Sequence, residues 1–409
     1  MAQLDPVDET SCQPRPVVPM PGHRRAWLFT RYADVRSALI DPRLAKDVQR
    51  LPGRRRSPVK ETDAEAADSV HVHMANSDPP DHTRLRRLAR QAFTLRRVAE
   101  LRPRAEQIAA RLLDKMAETG KMGETGKMGE IAARGGVVDL LDAYARPLPV
   151  TVLCELLGIP EADRDWMRVA VAEYEKPEQA QRVAGELGAY FTTLIAAKRA
   201  EPGTDLLSEL ALARTSAGQD GASQDGAGGW LTNAELRSTA FQLLLAGFDT
   251  TVNLIASGAL ALLTHPEAMA RLRDDPSLLP AAVEELLRFT NPVSHASDRF
   301  TTEDLPVGDV VIPAGEWVLP AISSANRDPA QYPDPDRLDL GRDTSGHVAF
   351  GHGVHHCLGA PLARMEAEVA LGALLDRFPR ISLALPSSEL RWRPVILMNG
   401  LESLPVRLT

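Results

Sequence analysis

The sequence contains few cysteines and lacks several patterns that would assign a function directly. Its three cysteines, Cys12, Cys154 and Cys357, are widely separated in 409 residues, which excludes a disulfide framework and favours a reducing compartment. The first residues do not contain a basic segment followed by an apolar run, so we expect a cytoplasmic protein. A glycine-rich nucleotide loop and a regular alternation of strands with helices are also missing, which argues against a nucleotide-binding parallel sheet.

The sequence has no strong excess of positive charge either. Its 55 acidic residues exceed its 47 lysines and arginines, for a net charge of -8. A chain of this charge has no general attraction for nucleic acid or for an anionic membrane surface. We therefore expect neither as a partner.

One long segment is almost free of charge. From Ser238 to His265 the only charged residue is Asp249, and a stretch this apolar is either a membrane span or a helix buried on all sides. Thr250, Thr251 and Asn253 add polar groups in its middle, and no other segment is comparably apolar. We therefore predict a buried helix in a protein core.

Helical periodicity dominates the rest of the chain, and short alternating segments such as LPVGDVVIPAGEWVLP indicate small sheets. The predicted fold class is therefore mainly α with minor β. Residues 1–25 are rich in proline and are expected to be poorly ordered, and residues 26–409 are expected to form one large domain. Two low-complexity stretches, 118–130 with its repeated ETGKMG and 216–229, are predicted to be loops because of their glycines.

The densest chemistry lies in FGHGVHHCLG, residues 350–359, where four side chains can bind a metal: His352, His355, His356 and Cys357. A structural zinc site needs two well-separated ligand pairs, and no CxxC partner exists. A nucleophilic cysteine needs a base, which the sequence alone neither identifies nor excludes.

A third interpretation of this segment starts from its glycines. Gly351, Gly353 and Gly359 allow tight bends and a close approach to something flat. Cys357 precedes a predicted helix that has Pro361 near its start, where free N–H groups stabilise a thiolate. A thiolate held in this way is an axial ligand of haem iron.

With its FxxGxxxCxG spacing, the segment is similar to the cysteine motif of soluble bacterial cytochromes P450, and the resemblance extends from Trp27 to Arg407. The chain most resembles the actinomycete haem-thiolate monooxygenases that tailor macrolides and polyketides. This resemblance implies a triangular fold with haem b between the long central helix and the cysteine-loop helix. It also implies that Cys357 ligates the iron, that Phe350 packs beside the sulfur and that His355 reaches a haem propionate. It assigns no role to His352 or His356.

The sequence AGFDTT in the middle of the apolar segment resembles the oxygen-activation motif of this family. An aspartate in an apolar helix is costly without a role or a partner. Thr250 can bond to a backbone carbonyl one turn earlier, and the resemblance implies that Asp249 and Thr250 deliver protons to bound oxygen. Ala246 and Gly247 are small, which suits a backbone lying close to the porphyrin.

Three further residue sets follow from the resemblance. Glu285 and Arg288 form an ExxR pair one helical turn apart, and Arg337 is expected to complete a buried structural network with them. The expected haem-binding residues are His82, Arg86, Ala246, Gly247, Arg299, Phe350, Gly351, His355, Cys357 and Gly359. The expected substrate contacts are Val293, Ile396 and Leu397.

The resemblance also implies the reaction and the partners. The expected enzyme is a monomer that inserts one atom of O2 into a hydrophobic natural product by hydroxylation or epoxidation. Electrons would come from NAD(P)H through a ferredoxin reductase and a ferredoxin. A group of arginines near His82 is either a solvated face or a docking site for an acidic ferredoxin: Arg84, Arg87, Arg90, Arg96 and Arg97. The alternatives are a peroxide-driven haem peroxygenase and a haem-binding sensor without catalysis.

Overall fold

The computed structural model describes residues 15–20, 24–52, 73–122, 136–213, 229–395 and 397–408. The helices are α1 (Tyr32–Ala38), α2 (Asp81–Ala92), α3 (Leu95–Met122), α4 (Pro147–Leu156), α5 (Arg164–Tyr174), α6 (Pro177–Ala200), α7 (Leu206–Leu212), α8 (Asn233–Thr264), α9 (Pro266–Asp274), α10 (Leu279–Thr290), α11 (Ile322–Asn326) and α12 (Ala360–Arg377). The strands are β1 (Arg15–Met20), β2 (Arg24–Phe29), β3 (Leu44–Ala45), β4 (Val137–Asp139), β5 (Arg299–Thr301), β6 (Leu305–Val307), β7 (Val310–Ile312), β8 (Trp317–Pro320), β9 (Ser382–Leu383) and β10 (Pro405–Arg407). Helices predominate over small sheets, which confirms the predicted fold class.

The chain divides into two compact units. The first consists of Met1–Arg56, Asn253–Cys357 and Pro386–Glu402, and the second of Ser57–Val252, Leu358–Leu385 and Ser403–Thr409. Each unit is assembled from three separate segments, so no single cut in the chain separates them. One domain over residues 26–409 therefore stays our prediction.

A five-stranded sheet of order β1-β2-β8-β5-β3 lies in the first unit. β2 runs parallel to β8, whereas the other neighbouring strands are antiparallel. Successive residues of a strand point to opposite faces. Accordingly, Ala26 and Leu28 join a cluster with Leu319, whereas Phe29 joins a cluster that includes Val35 of α1. The strand is therefore covered on both faces.

β1 lies within residues 1–25, where the sequence indicated little order. The poor order of residues 1–25 stays a prediction, and the backbone of β1 pairs with β2 from Arg15 opposite Leu28 to Met20 opposite Arg24. The physical reason is that an edge strand presents N–H and C=O groups with which an adjacent extended segment can pair. Residues 1–14 and 21–23 lie outside the described part of the chain.

α3 and α12 are the main packing partners in the second unit, and α4 lies against α3. The buried hydroxyl of Tyr144 donates to the carbonyl of Ala370 in α12 at 2.9 Å. Arg102 of α3 forms an ion pair with Glu368 of α12. These contacts hold the helix that follows the cysteine motif in the chain.

The end of α3 corrects one prediction about the repeated segment. The helix continues through residues 118–122, although the glycines of the repeat predicted a loop. A helix that already packs along its length can extend through a glycine at a cost of about 1 kcal/mol. Residues 123–135 and 214–228, which include the rest of both predicted loops, lie outside the described residues.

α8 is the predicted apolar helix, and a capping box starts it. The backbone N–H of Thr232 donates to Oε2 of Glu235 at 2.9 Å, and the N–H of Glu235 donates to Oγ1 of Thr232 at 3.2 Å. By length and composition the helix could cross a membrane. Its most apolar stretch of 18 residues is 61% buried inside the protein. That burial is typical of a helix in a protein core.

Candidate active site

The cysteine loop, defined here as residues 346–357, is attached to the first unit by hydrogen bonds at its start. The hydroxyl of Tyr32 in α1 donates to the carbonyl of Gly346 at 2.8 Å. The N–H of Val348 donates to Oδ1 of Asn326 at 2.8 Å, and Nδ2 of Asn326 donates to Oδ1 of Asn291 at 2.7 Å. Asn291 ends α10 in the left-handed conformation that asparagine tolerates. The end of α10 therefore sets the position of the loop.

Two glycines shape the loop as the sequence predicted. Gly351 and Gly353 have φ values of +71° and +74°, which disfavour a side chain. A Cβ at Gly353 would also lie 2.6 Å from Cγ2 of Ile40. The loop then turns so that the N–H of Cys357 donates to the carbonyl of Phe350 at 2.8 Å. Gly359 differs, because its φ is -79° and it serves as the N-cap of α12.

Cys357 is exposed, whereas the other described cysteine, Cys154, is buried. Burial raises the pKa of the Cys154 thiol to about 12, so this thiol is unsuited to act as a thiolate. Free cysteines are among the most often buried residues, and an exposed one on a loop held by backbone bonds suits a ligand role. The donor set at Cys357 therefore fits a group that accepts a single thiolate, as haem does.

The histidines of the loop do not gather around the cysteine as zinc would require. Among the described residues, no three His, Cys, Asp or Glu side chains converge on a common point. Nε2 of His352 instead accepts from Nε of Arg36 at 3.3 Å, and burial, with Arg36 as a further cause, lowers the pKa of His352. The ring of His356 lies 6.3 Å from that of Phe350. The zinc interpretation therefore finds no support in this part of the chain.

The oxygen motif occupies the middle of α8, and its threonine makes the predicted contact. Oγ1 of Thr250 donates to the carbonyl of Ala246 at 2.7 Å, and the helix is continuous through this point. Ala246 is exposed, and Asp249 and Thr250 are partly exposed, although most of the helix around them is buried. The motif therefore forms an accessible strip on an otherwise buried helix.

Gly247 has a packing role that the sequence did not predict. A Cβ on this residue would lie 2.9 Å from Cδ2 of Leu153 in α4. Its missing side chain therefore allows α8 and α4 to pack closely, and its place beside a porphyrin stays a prediction. Ala246 is the small residue of the pair that is exposed.

Glu366 of α12 is a buried carboxyl near the motif that sequence reasoning missed. It is 1% exposed, and burial raises its pKa well above 4.5, an effect that the hydroxyl of Thr251 partly offsets. The available signal was its position in α12, because Leu362 and Ala370, four residues to either side, are both buried. A buried carboxyl with a raised pKa therefore lies beside Thr251, the last residue of the oxygen motif.

The ExxR pair forms the predicted buried network, but with a different third member. Arg288 donates from Nε and Nη2 to Glu285 at 2.7 and 2.9 Å, and both side chains are essentially inaccessible. The third member is Arg342, whose Nε lies 3.3 Å from Oε1 of Glu285. Arg337 was the wrong choice, because its side chain is 70% exposed and faces Asp339 at 3.8 Å. Only its backbone carbonyl accepts from the network, at 3.2 Å from Nη2 of Arg342.

The predicted propionate-binding residues lie in both units. His82 and Arg86 occupy α2 of the second unit at positions i and i+4, so they share a helix face. His82 is buried and Arg86 is partly buried. Arg299 is buried in β5 of the first unit. Their binding of haem stays a prediction.

The predicted substrate contacts lie around one backbone pairing of the first unit. Val293 pairs with Met398 as an isolated antiparallel bridge. The N–H of Ser294 donates to the carbonyl of Leu397 at 3.0 Å. Ile396 lies outside the described residues.

The arginines near His82 do not form one free surface. Arg84 forms an ion pair with Glu235, and Arg97 forms one with Glu209. Arg87 and Arg90 are exposed on α2. The candidate docking surface is therefore smaller than the sequence suggested.

Comparisons with known proteins agree on one family. A family model named Cytochrome P450 matches residues 178–387. Cytochrome P450 107B1 of Saccharopolyspora erythraea is 47% identical over 392 residues, which cover 93% of this chain and 89% of that protein. Mycinamicin IV hydroxylase/epoxidase of Micromonospora griseorubida is 42% identical over 392 residues, with coverage of 94% and 90%. The solved structure of the Bacillus subtilis bacillaene polyketide synthase cytochrome P450 PksS is similar with a TM-score of 0.82 and 37% identity, covering 95% of this chain and 92% of that one.

Proposed function

The chain belongs to the cytochrome P450 family, and we propose that it oxidises a macrolide or related polyketide in secondary metabolism. It is a haem-dependent monooxygenase that uses electrons derived from NAD(P)H. The similar proteins include a mycinamicin IV hydroxylase/epoxidase and a P450 of a bacillaene polyketide synthase. Their names support a macrolide or polyketide substrate and a hydroxylation or epoxidation.

We infer that Cys357 ligates the haem iron. When it is bound through a thiolate, haem supplies oxygen binding and its reductive activation. The observation that carries this assignment is the exposed Cys357 on a loop whose backbone is fixed by Asn326 and Tyr32. A rigidly held loop keeps the ligand from drifting, because its donors and acceptors already have partners. The haem propionates are assigned to His82, Arg86, Arg299 and His355, and charge-assisted bonds to carboxylates are strong.

We assign the delivery of the protons that the reaction consumes to Asp249 and Thr250. Oγ1 of Thr250 is oriented because its hydrogen points to the carbonyl of Ala246, so its lone pairs are left to accept a hydrogen bond from water or an oxygen species. The carboxylate of Asp249 is partly exposed and can take protons from solvent for transfer along water to that position.

We assign the role of electron donor to a ferredoxin, which receives its electrons from an NAD(P)H-dependent reductase. We also propose that the enzyme is a cytoplasmic monomer. Arg87 and Arg90 are exposed on α2 and are available for an acidic partner. Attraction between such charges speeds encounter and weakens with salt. Arg84 and Arg97 contribute less, because each is engaged by a glutamate of this chain.

The ligand assignment is tested with Cys357→Ser and a matched control, Cys154→Ala. After reduction and addition of carbon monoxide, wild type and Cys154→Ala are expected to show the red-shifted absorbance of a thiolate-bound haem, and Cys357→Ser is expected to lose it. The wild-type protein is then titrated with a panel of macrolides, polyenes and steroids, followed by product analysis. Undiminished absorbance and turnover in Cys357→Ser would overturn the ligand assignment, and tight binding of only non-polyketide ligands would overturn the substrate class.

A further inference from the structure

The C-terminal hairpin, defined as the described residues 391–395 and 397–402, is attached to the first unit at both ends. At its base, Trp392 pairs with Leu401. At its tip, Met398 pairs with Val293, and Nδ2 of Asn399 donates to the carbonyl of Asn291 at 2.8 Å. These bonds fix the hairpin to the segment that follows α10. They leave the strand between base and tip to be positioned by other contacts.

A side-chain bond supplies that contact. Nη2 of Arg393 donates to Oδ1 of Asn253 in α8 at 3.0 Å. Asn253 is 1% exposed. Among the described residues, its side chain has a hydrogen-bond partner in Arg393. A buried amide is costly without a partner. The bond therefore links the hairpin to a buried amide of α8 that would otherwise lack this hydrogen bond.

Gly400 shows that the hairpin is shaped around this bond. A Cβ on Gly400 would lie 2.4 Å from Nη2 of Arg393, 2.6 Å from its Nε and 2.7 Å from Oδ1 of Asn253. The opposite strand also contributes a backbone bond, from the N–H of Arg393 to the carbonyl of Gly400 at 2.8 Å. The space that a side chain would fill at position 400 is occupied by the guanidinium and its acceptor.

We propose that Arg393 is a positioning residue for substrate selection: through Asn253 it fixes the distance between α8 and the hairpin strand that leads to the tip. This inference rests on the proposed function, because it matters for catalysis only if Leu397 and Val293 contact substrate. Leu397 packs against the cluster of Ala26 and Leu28, and Arg393 lies four residues before it on the same hairpin, so the two contacts together set the path of the chain past Leu397.

The geometry of α8 explains why this contact bears on selectivity. Asn253 follows Thr250 by three residues, so the two side chains lie one turn apart on neighbouring parts of one helix face. Arg393 therefore bonds the hairpin to the helix that also contains the oxygen motif. Loss of the bond is expected to change where a bound substrate is oxidised more than how much haem is bound.

The first test measures the hairpin itself by hydrogen exchange in the haem-loaded protein. Arg393→Ala and Asn253→Ala are each expected to speed exchange of peptides covering residues 391–402 by about tenfold or more, since a bond to a charged donor is lost. The double variant is expected to match the single ones, because both remove the same bond. Arg391→Ala removes an exposed positive charge from the same strand and is the matched control, expected to exchange as wild type does.

The second test measures selection. The probe is the member of the macrolide, polyene and steroid panel that wild type binds with the largest spectral change. Arg393→Ala, Asn253→Ala and Gly400→Ala are expected to change its product ratio or raise its dissociation constant severalfold, with haem content and the carbon monoxide spectrum unchanged. Arg393→Lys keeps a charged donor and is expected to lie between wild type and Arg393→Ala.

The outcomes separate the two proposals. A wild-type protein without the thiolate spectrum or without a bound panel ligand contradicts the proposed function, whereas hydrogen exchange still decides whether the Arg393–Asn253 bond holds the hairpin. Unchanged exchange in both single variants refutes the inference. Faster exchange with an unchanged product ratio and dissociation constant also refutes it, because the bond would then be structural only.

Discussion

The third member of the buried Glu285–Arg288 network is Arg342 in the structure, whereas the sequence predicted Arg337. Variants of these two arginines test the structure directly. Nε of Arg342 lies 3.3 Å from Glu285, and its Nη atoms donate to the carbonyls of Pro333, Asp334 and Arg337 at 2.5, 2.9 and 3.2 Å. Its side chain is 10% exposed. Arg342→Ala therefore removes a nearly buried guanidinium that ties an irregular segment to α10.

The magnitude follows from what each side chain contacts. Breaking one partner of a buried ion network costs about 3–5 kcal/mol, and hydrogen bonds to a charged group are worth about 1.5–3 kcal/mol each without being additive. Arg342→Ala is therefore expected to lower the free energy of unfolding by about 3–4 kcal/mol, a large part of the total of about 5–15 kcal/mol. Arg337→Ala, which removes an exposed side chain 3.8 Å from Asp339, is expected to cost less than about 1 kcal/mol.

The assay is urea unfolding of the haem-loaded variants, followed by circular dichroism, with haem content measured before unfolding. Glu285→Ala provides the upper limit, because it leaves the guanidinium of Arg288 buried without its carboxylate and is expected to give poorly folded, haem-free protein. If Arg337→Ala proves as destabilising as Arg342→Ala, the network drawn from the structure is incorrect and the sequence prediction stands.

Two further predictions concern protons at α8 and α12. Thr250→Ala is expected to divert reducing equivalents to hydrogen peroxide, measured as peroxide formed per NAD(P)H consumed; coupling equal to wild type argues against Thr250 as a relay. Glu366→Gln tests the buried carboxyl: because its pKa in the folded protein lies above 4.5, unfolding releases its proton, and wild-type stability falls by about 1.4 kcal/mol per pH unit from pH 4.5 upward to the folded pKa. The variant is therefore expected to become more stable relative to wild type as the pH rises above 4.5 in urea titrations, and parallel stability curves would contradict this.

Sequence reasoning succeeded where residues act at fixed helical or turn spacing. The Glu285–Arg288 pair and the bond from Thr250 to Ala246 join residues that are three and four positions apart. Helix geometry places such pairs together whatever surrounds them. The left-handed glycines of the cysteine loop were predictable for a similar reason, since φ is a local property.

It failed where an irregular backbone or a distant element decides. Arg337 and Arg342 lie in a stretch without periodicity, so the pattern could not show which side chain points to Glu285. The packing role of Gly247 was missed because its partner, Leu153, lies 94 positions away in sequence. The bond of Arg393 to Asn253 spans 140 residues, and no short motif records it.

The polar residues of α8 explain how an almost uncharged helix keeps one orientation. Apolar burial is not directional, so the orientation of an entirely apolar helix depends on the shape of its packing alone. In α8, Thr251 faces Glu366, Asn253 accepts from Arg393, and Gly247 admits Leu153. Each contact is satisfied at one rotation only, and that rotation leaves Ala246, Asp249 and Thr250 accessible. The orientation of the oxygen motif is therefore determined by neighbouring residues that take no part in the chemistry. Substitutions at Leu153 or Arg393 are expected to change the amount of peroxide formed per NAD(P)H consumed, although they leave the residues of the motif unchanged.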